Sequence, residues 1–258
     1  MTNEGRNQNF IKFLGTAGAR VVVSRQVRAS GGIWLSLDGT SLYIDPGPGA
    51  LAKCFSSRPP LLPSTLDGIL LSHRHLDHSG DINAMIEAMT EGTFKRKGVV
   101  LAPAEALNKD PVILKYVRKY PEKIETIKAG KKYKIGNLTV SAPVKHIHHN
   151  TETYGFKIKG KKITVAYIAD TKYFPELIKA YKADIIIVSV LRIDPSPLEH
   201  LSVEDVKKII KGIRPEATIL THFGMWMIKA KPWMVAKELS KELKAKVVAA
   251  ADGMKFEF

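Results

Sequence analysis

The chain of 258 residues has a single cysteine, Cys54, and no apolar run that approaches the ~20 residues of a membrane-spanning helix. One thiol cannot build an intrachain disulfide framework, which is typical of proteins of the reducing cytoplasm. The first ten residues also lack the basic-then-apolar pattern of a secretory signal peptide. We therefore expect a cytoplasmic protein without a membrane span, in which Cys54 is a small buried hydrophobe.

Acidic residues and glutamines are scarce. There are 25 aspartates and glutamates against 40 lysines and arginines, so the net charge is +15, and only two glutamines occur, Gln8 and Gln26. A basic protein attracts polyanions, and this charge favours nucleic acid or another phosphodiester as the partner. A lysine-rich, amide-poor composition is also typical of a heat-adapted surface. Composition alone leaves both interpretations open.

Short apolar runs rich in β-branched residues recur along the chain, and helical patterns separate the later ones. We expect strands at 10–14, 21–24, 33–37, 41–44, 68–72, 99–102, 138–141, 153–158, 163–169, 184–190, 217–221 and 247–251. We expect helices at 81–91, 110–119, 202–211 and 232–243, the third opening with a capping box of Ser202 and Asp205. This order predicts an α/β fold in which helices cover the sheets.

Metal-capable side chains follow four of these runs. They are His73, His75, Asp77 and His78 after the run 68–72, His146, His148 and His149 after 138–141, Asp170 after 163–169, and His222 after 217–221. Sites in open α/β folds form outside the carboxyl ends of strands, so we expect these side chains to meet in one site. Histidine and aspartate ligands without thiolates favour zinc, manganese or iron.

The local spacing suggests a pair of ions. In a turn that leaves a strand, His73 and His75 point the same way and can hold one cation. Asp77 and His78 then point towards a neighbouring position. A carboxylate has to bridge two cations that lie ~3.5–4 Å apart, and Asp170 is the natural candidate for that bridge.

The segment HRHLDH at 73–78 matches the HxHxDH signature of the metallo-β-lactamase-fold hydrolases, and the resemblance extends from FLGTAGAR near the start to THFGMW near the end. It implies a four-layer αββα sandwich with two mixed sheets flanked by helices, in a single domain spanning residues 1–258. It also implies two divalent metal ions, zinc ahead of manganese or iron. His73 and His75 would bind the first ion, Asp77, His78 and His222 the second, with Asp170 bridging.

The first ion needs one more histidine, and KHIHHNTETYGF offers three. RNase Z-like members of the family place this ligand six residues before a glycine, which is the spacing of His149 and Gly155. His148 would fit the longer spacing of the RNase J branch, and His146 is the third candidate. The resemblance favours His149, with His148 as the alternative ligand or a pocket residue.

Three further segments resemble the RNase Z-like phosphodiesterases. They are FLGTAGAR followed by VRASGGIWL, EHLSVEDV, and ADTKYF around Asp170. The resemblance implies a phosphodiesterase or ribonuclease in which Asp77 orients the attacking water and His200 contacts the scissile phosphate or the leaving group. It also implies a homodimer. The long tRNA-binding arm of RNase Z does not fit here, because one short hairpin turned at Gly160 joins Gly155 to Asp170.

The same residues also bear on other functions within and beyond this family. A metallo-β-lactamase-fold hydrolase of a lactone, thioester or other small-molecule bond is the main alternative, since the fold does not fix the substrate. The flavodiiron pattern requires a glutamate where His75 stands. A nucleic-acid-binding module with an inactive metal site is disfavoured by the intact ligand set.

Overall fold

The computed structural model describes residues 8–258, which form fourteen strands and nine α-helices. The strands are β1 (Phe10–Gly15), β2 (Ser30–Leu37), β3 (Thr40–Ile44), β4 (Gly68–Leu70), β5 (Val99–Ala102), β6 (Lys123–Thr126), β7 (Lys132–Ile135), β8 (Leu138–Ser141), β9 (Phe156–Lys159), β10 (Thr164–Ile168), β11 (Ile185–Ser189), β12 (Ala217–Thr221), β13 (Val247–Ala249) and β14 (Lys255–Glu257). The helices are α1 (Ala19–Ser24), α2 (Ala50–Ser56), α3 (Leu76–Ser79), α4 (Ile82–Met89), α5 (Ala104–Leu107), α6 (Glu176–Ala180), α7 (Val203–Ile213), α8 (Met225–Lys229) and α9 (Pro232–Leu243).

The strands form two mixed sheets of seven strands each. The first has the order β14-β1-β2-β3-β4-β5-β6, antiparallel from β14 to β3 and parallel from β3 to β6. The second has the order β13-β12-β11-β10-β9-β8-β7, parallel from β13 to β10 and antiparallel from β10 to β7. Each sheet therefore presents a set of parallel carboxyl ends, where ligand sites form.

Side-chain alternation gives each sheet an inner and an outer face. In β2, Ile33, Leu35 and Leu37 pack into the core between the two sheets, together with residues of the second sheet such as Phe156 and Ile187. Two further cores lie outside, one between the first sheet and α2 and α4, the other between the second sheet and α7 and α9. Burying each large aliphatic side chain in these cores stabilises the folded chain by about 1.5–3 kcal/mol. The predicted four-layer αββα sandwich is confirmed.

Two predicted elements are wrong. The run 21–24 is not a strand but part of α1, because β1 already pairs with β14 on one side and β2 on the other, leaving no free edge. The segment 110–119 contains only the 3₁₀ turn Val117–Lys119. There the Arg118 side chain donates hydrogen bonds to the carbonyl oxygens of Leu107 and Ile113, and these carbonyls are then not available to a helix ladder.

Other local predictions agree with the structure. The predicted helix 232–243 is α9. The capping box opens α7, where the Ser202 hydroxyl accepts a hydrogen bond from the Asp205 N–H and the Asp205 carboxylate accepts one from the Ser202 N–H. Cys54 is a free, fully buried thiol. Within residues 8–258, every helix is too short or too polar to cross a membrane.

Candidate metal centre

The metal-capable side chains meet at one edge of the sandwich, where loops leave the carboxyl ends of parallel strands. His73 and His75 follow β4, and α3 then carries Asp77 and His78. The second sheet supplies Asp170 shortly after β10, His222 directly after β12, and the loop 142–155 between β8 and β9. These side chains form overlapping groups whose ligand atoms lie within 4.8 Å of one another.

The first group joins His73, His75 and His148. The Nδ1 of His75 lies 3.0 Å from the Nε2 of His73 and 3.2 Å from the Nε2 of His148. The opposite nitrogens are engaged elsewhere, because His73 Nδ1 contacts the Ser72 hydroxyl at 2.9 Å and His148 Nδ1 donates to the Glu199 carbonyl at 3.0 Å. Three lone pairs therefore converge, which is the arrangement that a cation needs.

Burial keeps these three rings uncharged. It lowers the pKa of His73 well below its usual value and also lowers the pKa of His148. It lowers the pKa of His75 to about 4. Neutral imidazole is the form that binds metal ions, so the group is ready to act as a ligand set at neutral pH.

The preference for His149 as the third histidine does not fit this arrangement. His149 is exposed, its backbone is left-handed (φ 46°), and its ring centroid lies 6.2 Å from that of His75. Its ring nitrogen groups with those of His148 and His200, and not with those of His73 and His75. His148 occupies the position beside His73 and His75 instead. His146 lies outside the group, because its ring is hydrogen-bonded to the Tyr181 hydroxyl and the Asp170 carbonyl.

The second group joins Asp77, His78 and His222. The Nε2 atoms of His78 and His222 are 3.1 Å apart, and the Asp77 Oδ2 lies 3.6 Å from the first and 3.4 Å from the second. Burial alone would raise the pKa of Asp77, but the His78 and His222 rings hold that pKa below its usual range. A cavity of about 30 Å³ borders these three residues, which is room for one water-sized species.

Asp170 lies between the two groups. Its Oδ2 is 3.5 Å from His78 Nε2 and 3.7 Å from His148 Nε2, one nitrogen of each group. Its Oδ1 and the facing His222 Nδ1 are buried without a hydrogen-bond partner. A buried polar atom without a partner lowers the stability of the fold by about 1–3 kcal/mol. A bound cation would give both atoms a partner. With five histidines, two aspartates and no thiolate, the donor set fits two divalent cations.

Asp45, which sequence reasoning missed, supports both groups from behind. Its carboxylate accepts hydrogen bonds from the Ser72 N–H and O–H, from His78 Nδ1 and from the Tyr167 hydroxyl. Asp45 directly follows β3, so the strand-end pattern that marked Asp170 could also have marked Asp45. Such outer carboxylates fix the tautomer and orientation of ligating histidines.

Two glycines allow the ligand loops to approach other backbone closely. A Cβ on Gly18 would collide with the backbone oxygen of His222, and one on Gly47 would collide with the backbone oxygen of Asp77. The segments FLGTAGAR and DPGPG therefore position ligands without supplying any themselves. The contact between Gly18 and His222 joins the two halves of the chain, whereas that between Gly47 and Asp77 lies within the first half.

His200 lies beside the bridging carboxylate. Its Nδ1 is 3.6 Å from the Asp170 Oδ2, and its ring stacks against that of His222 with centroids 6.0 Å apart. Burial lowers the pKa of His200 to about 4. The ring is therefore uncharged at neutral pH and contributes an N–H donor, not a positive charge.

A family model described as a beta-lactamase superfamily domain matches residues 40–223. The chain belongs to the beta-lactamase superfamily. It is 27% identical over 256 residues to MJ1374 of Methanocaldococcus jannaschii, an alignment that covers 96% of this chain and 94% of that protein. It is 28% identical over 191 residues to the probable metallo-hydrolase YhfI of Bacillus subtilis, covering 70% and 75% of the two chains.

Solved structures of the superfamily share the whole fold. The YhfI crystal structure superposes with a TM-score of 0.80 at 23% identity and covers 97% of this chain and all of that one. A diphosphatase from the PhnP family gives 0.72 at 20% identity, covering 97% of each chain. The short form of human tRNase Z gives 0.69 at 16% identity, covering 96% and 98%. These likenesses show that the chain shares the fold of YhfI, of the PhnP-family diphosphatase and of tRNase Z.

Proposed function

We propose that this protein is a metal-dependent phosphodiesterase or ribonuclease. It would use two divalent metal ions, with zinc preferred over manganese and iron. The observation that carries the proposal is the position of His200. Its ligand atom lies within 4.8 Å of those of Asp170 and His222, so it can act on a phosphate held beside them, while the other side chains of the site supply three ligands for each ion without it. Two of the structural relatives are described as a diphosphatase and a tRNase Z, which supports a phosphate-ester substrate.

Each side chain has a role in this proposal. His73, His75 and His148 would hold the first ion, Asp77, His78 and His222 would hold the second, and Asp170 would serve both. When bound, the two ions supply Lewis acidity for the phosphate and lower the pKa of the attacking water. Asp77 is the more open of the two carboxylates, with 17% of its side chain exposed against 3% for Asp170, so Asp77 orients that water.

His200 acts on the other side of the scissile bond. As an uncharged ring it donates a hydrogen bond to the leaving oxygen or to a non-bridging phosphate oxygen as charge develops there. Its polypeptide segment leads directly into α7, whose capping box holds the start of the helix in place. The His200 N–H is therefore held in position by the start of α7, and the side chain need not change its place during the reaction.

The β9–β10 connection narrows the range of substrates. The Gly160 N–H donates to the Ile163 carbonyl at 2.9 Å, so the two strands join in a tight hairpin with no arm inserted between them. We therefore propose short or single-stranded phosphodiesters, and not precursor tRNA gripped at its elbow. The cytoplasmic location, the homodimer and nucleic acid as the partner remain predictions.

The test is hydrolysis of bis(p-nitrophenyl) phosphate by protein loaded separately with Zn²⁺ or Mn²⁺. We expect turnover that Asp77→Ala abolishes and that His200→Ala reduces. Asp194→Ala is the matched control, since Asp194 is an exposed aspartate six residues before His200. Two ions bound by elemental analysis but no turnover with either metal would rule out the proposal and turn attention to lactones and thioesters.

A further inference from the structure

An open cleft of about 790 Å³ adjoins the metal centre on the side of His148. One wall is the segment 104–109, which includes α5, and the other is the segment 145–152. We call this the side cleft. Its volume lies within the range of roughly 300–1,000 Å³ that is typical of pockets for small organic ligands. Because His148 belongs both to the cleft and to the first ligand group, a substrate at the metal centre can extend into it.

The walls of the side cleft are tied together and to the metal loop. The Glu105 N–H donates to the Glu152 carboxylate at 2.9 Å, and the Glu152 N–H donates back to the Glu105 carboxylate at 2.8 Å. Arg74, which stands between His73 and His75 in the chain, pairs with Glu105 at 3.0 Å. The cleft is therefore held in shape before any ligand enters.

The side cleft also carries two lysines that are free to bind an anion. Both carboxylates of the cleft are engaged by backbone N–H groups, and Glu105 by Arg74 as well. Lys109 and Lys145 stand exposed on opposite walls. Within residues 8–258 neither lysine lies within 4.0 Å of a carboxylate in an ion pair, so both ammonium groups are available to an anion that enters the cleft.

The rest of the lining suits the organic part of a nucleotide. Ile147 is 38% exposed there, which is unusual for an isoleucine. His149 offers an exposed ring next to it, with its centroid 4.5 Å from that of His148 and 5.7 Å from that of His200. An apolar side chain and a flat ring beside two cations can bind a base and a phosphate together.

We infer that the side cleft binds the part of the substrate beyond the scissile phosphate, and that Lys109 and Lys145 bind a second phosphate group there. This inference rests on the proposed phosphodiesterase function. It makes the preferred substrate a short single strand of nucleic acid, in which the second phosphate is either a terminal phosphate or the next diester of the backbone. A simple diester with one phosphate would leave both lysines without an anion.

Binding tests this inference independently of catalysis. Isothermal titration calorimetry on the metal-loaded protein would use phosphorothioate analogues of three ligands, namely dithymidine, dithymidine with a 5′-phosphate, and trithymidine. We expect the two ligands with a second phosphate to bind at least 10-fold more tightly than dithymidine. Comparing the terminal phosphate with the extra diester shows which source the cleft prefers.

The variants test whether the two lysines cause that preference. In Lys109→Gln/Lys145→Gln we expect the affinity ratio to fall close to 1 and the salt dependence of binding to become shallower. Lys161→Gln is the matched control, since it removes an exposed lysine from the hairpin between β9 and β10 and should keep the wild-type ratio. An equal affinity for all three ligands, or a ratio that survives the double substitution, would overturn the inference.

Failure of the phosphodiesterase proposal is recognised separately. If wild-type protein shows the lysine-dependent preference but does not hydrolyse bis(p-nitrophenyl) phosphate, the second-phosphate site is supported and the phosphodiesterase proposal is refuted. If wild-type protein hydrolyses this diester but binds the three ligands equally well, the phosphodiesterase proposal is supported and the second-phosphate site is refuted.

Discussion

The carboxylate of Asp45 accepts a hydrogen bond from the Nδ1 of His78 at 2.9 Å, and this contact leaves the Nε2 of His78 facing the second ligand group. The same carboxylate holds Ser72 at 2.7 Å, and Ser72 in turn contacts the Nδ1 of His73 in the first group. A single buried aspartate therefore orients one histidine of each group.

Asp45→Asn should weaken metal binding without unfolding the protein. The amide keeps the volume of the carboxylate but can no longer accept from every neighbour, so the His78 ring loses its fixed tautomer. Loss of such an outer contact typically costs about 10–100-fold in metal affinity. Elemental analysis after dialysis against graded concentrations of a chelator measures this loss. Asp67→Asn is the control, because Asp67 accepts a backbone N–H from Ser41 far from the ligands; equal retention in both variants would contradict the role of Asp45.

His148→Ala and His149→Ala should differ in metal content. His148 has its Nε2 3.2 Å from His75, whereas His149 is exposed and does not group with His73 and His75. We therefore expect His148→Ala to lose most of the first ion, and His149→Ala to keep close to two ions per chain. Elemental analysis of both variants after identical purification provides the measurement. If only His149→Ala lost an ion, the assignment made from the geometry would be reversed.

Most of the site could be predicted from the sequence, for a physical reason. Parallel strands bring their carboxyl ends to one edge, so a His or Asp directly after an apolar run is placed by the sheet itself. Asp170 and His222 follow this pattern. The choice between His148 and His149 could not be predicted, because the backbone angle of one loop residue decides it.

The missed strands have a related explanation. The edge strands β6, β7 and β14 read KIET, KYKI and KFE, and their charged residues mask the apolar alternation. Lysines on edge strands are the usual protection against pairing with another chain. The sequence pattern therefore predicted the central strands and the apolar edge strand β13, and missed the three charged edge strands.

His200→Ala should affect substrates according to their leaving groups. The His200 N–H lies close to Asp170 and His222, where it can stabilise negative charge on the departing oxygen. The nitrophenolate ion needs little such help, so we expect kcat on bis(p-nitrophenyl) phosphate to fall less than about 10-fold. An alkyl leaving group needs more, and there kcat should fall by about 100-fold or more. A plot of log kcat against leaving-group pKa for wild type and variant tests this, and parallel lines would contradict the role.

Ser202→Ala should lower stability and leave catalysis intact. Ser202 lies two residues after His200, but its hydroxyl accepts from the Asp205 N–H and donates to the Asp205 carboxylate, so it is occupied in capping α7. Loss of an N-cap serine typically costs about 0.5–2 kcal/mol, whereas glycine at that position costs only a few tenths. Urea unfolding should therefore rank the variants as wild type, Ser202→Gly and Ser202→Ala, with kcat/KM on the nitrophenyl diester within about twofold of wild type. A drop of several orders of magnitude in Ser202→Ala with unchanged unfolding would instead make the hydroxyl a reacting group, and the proposal that a water oriented by Asp77 attacks the phosphate would have to be given up.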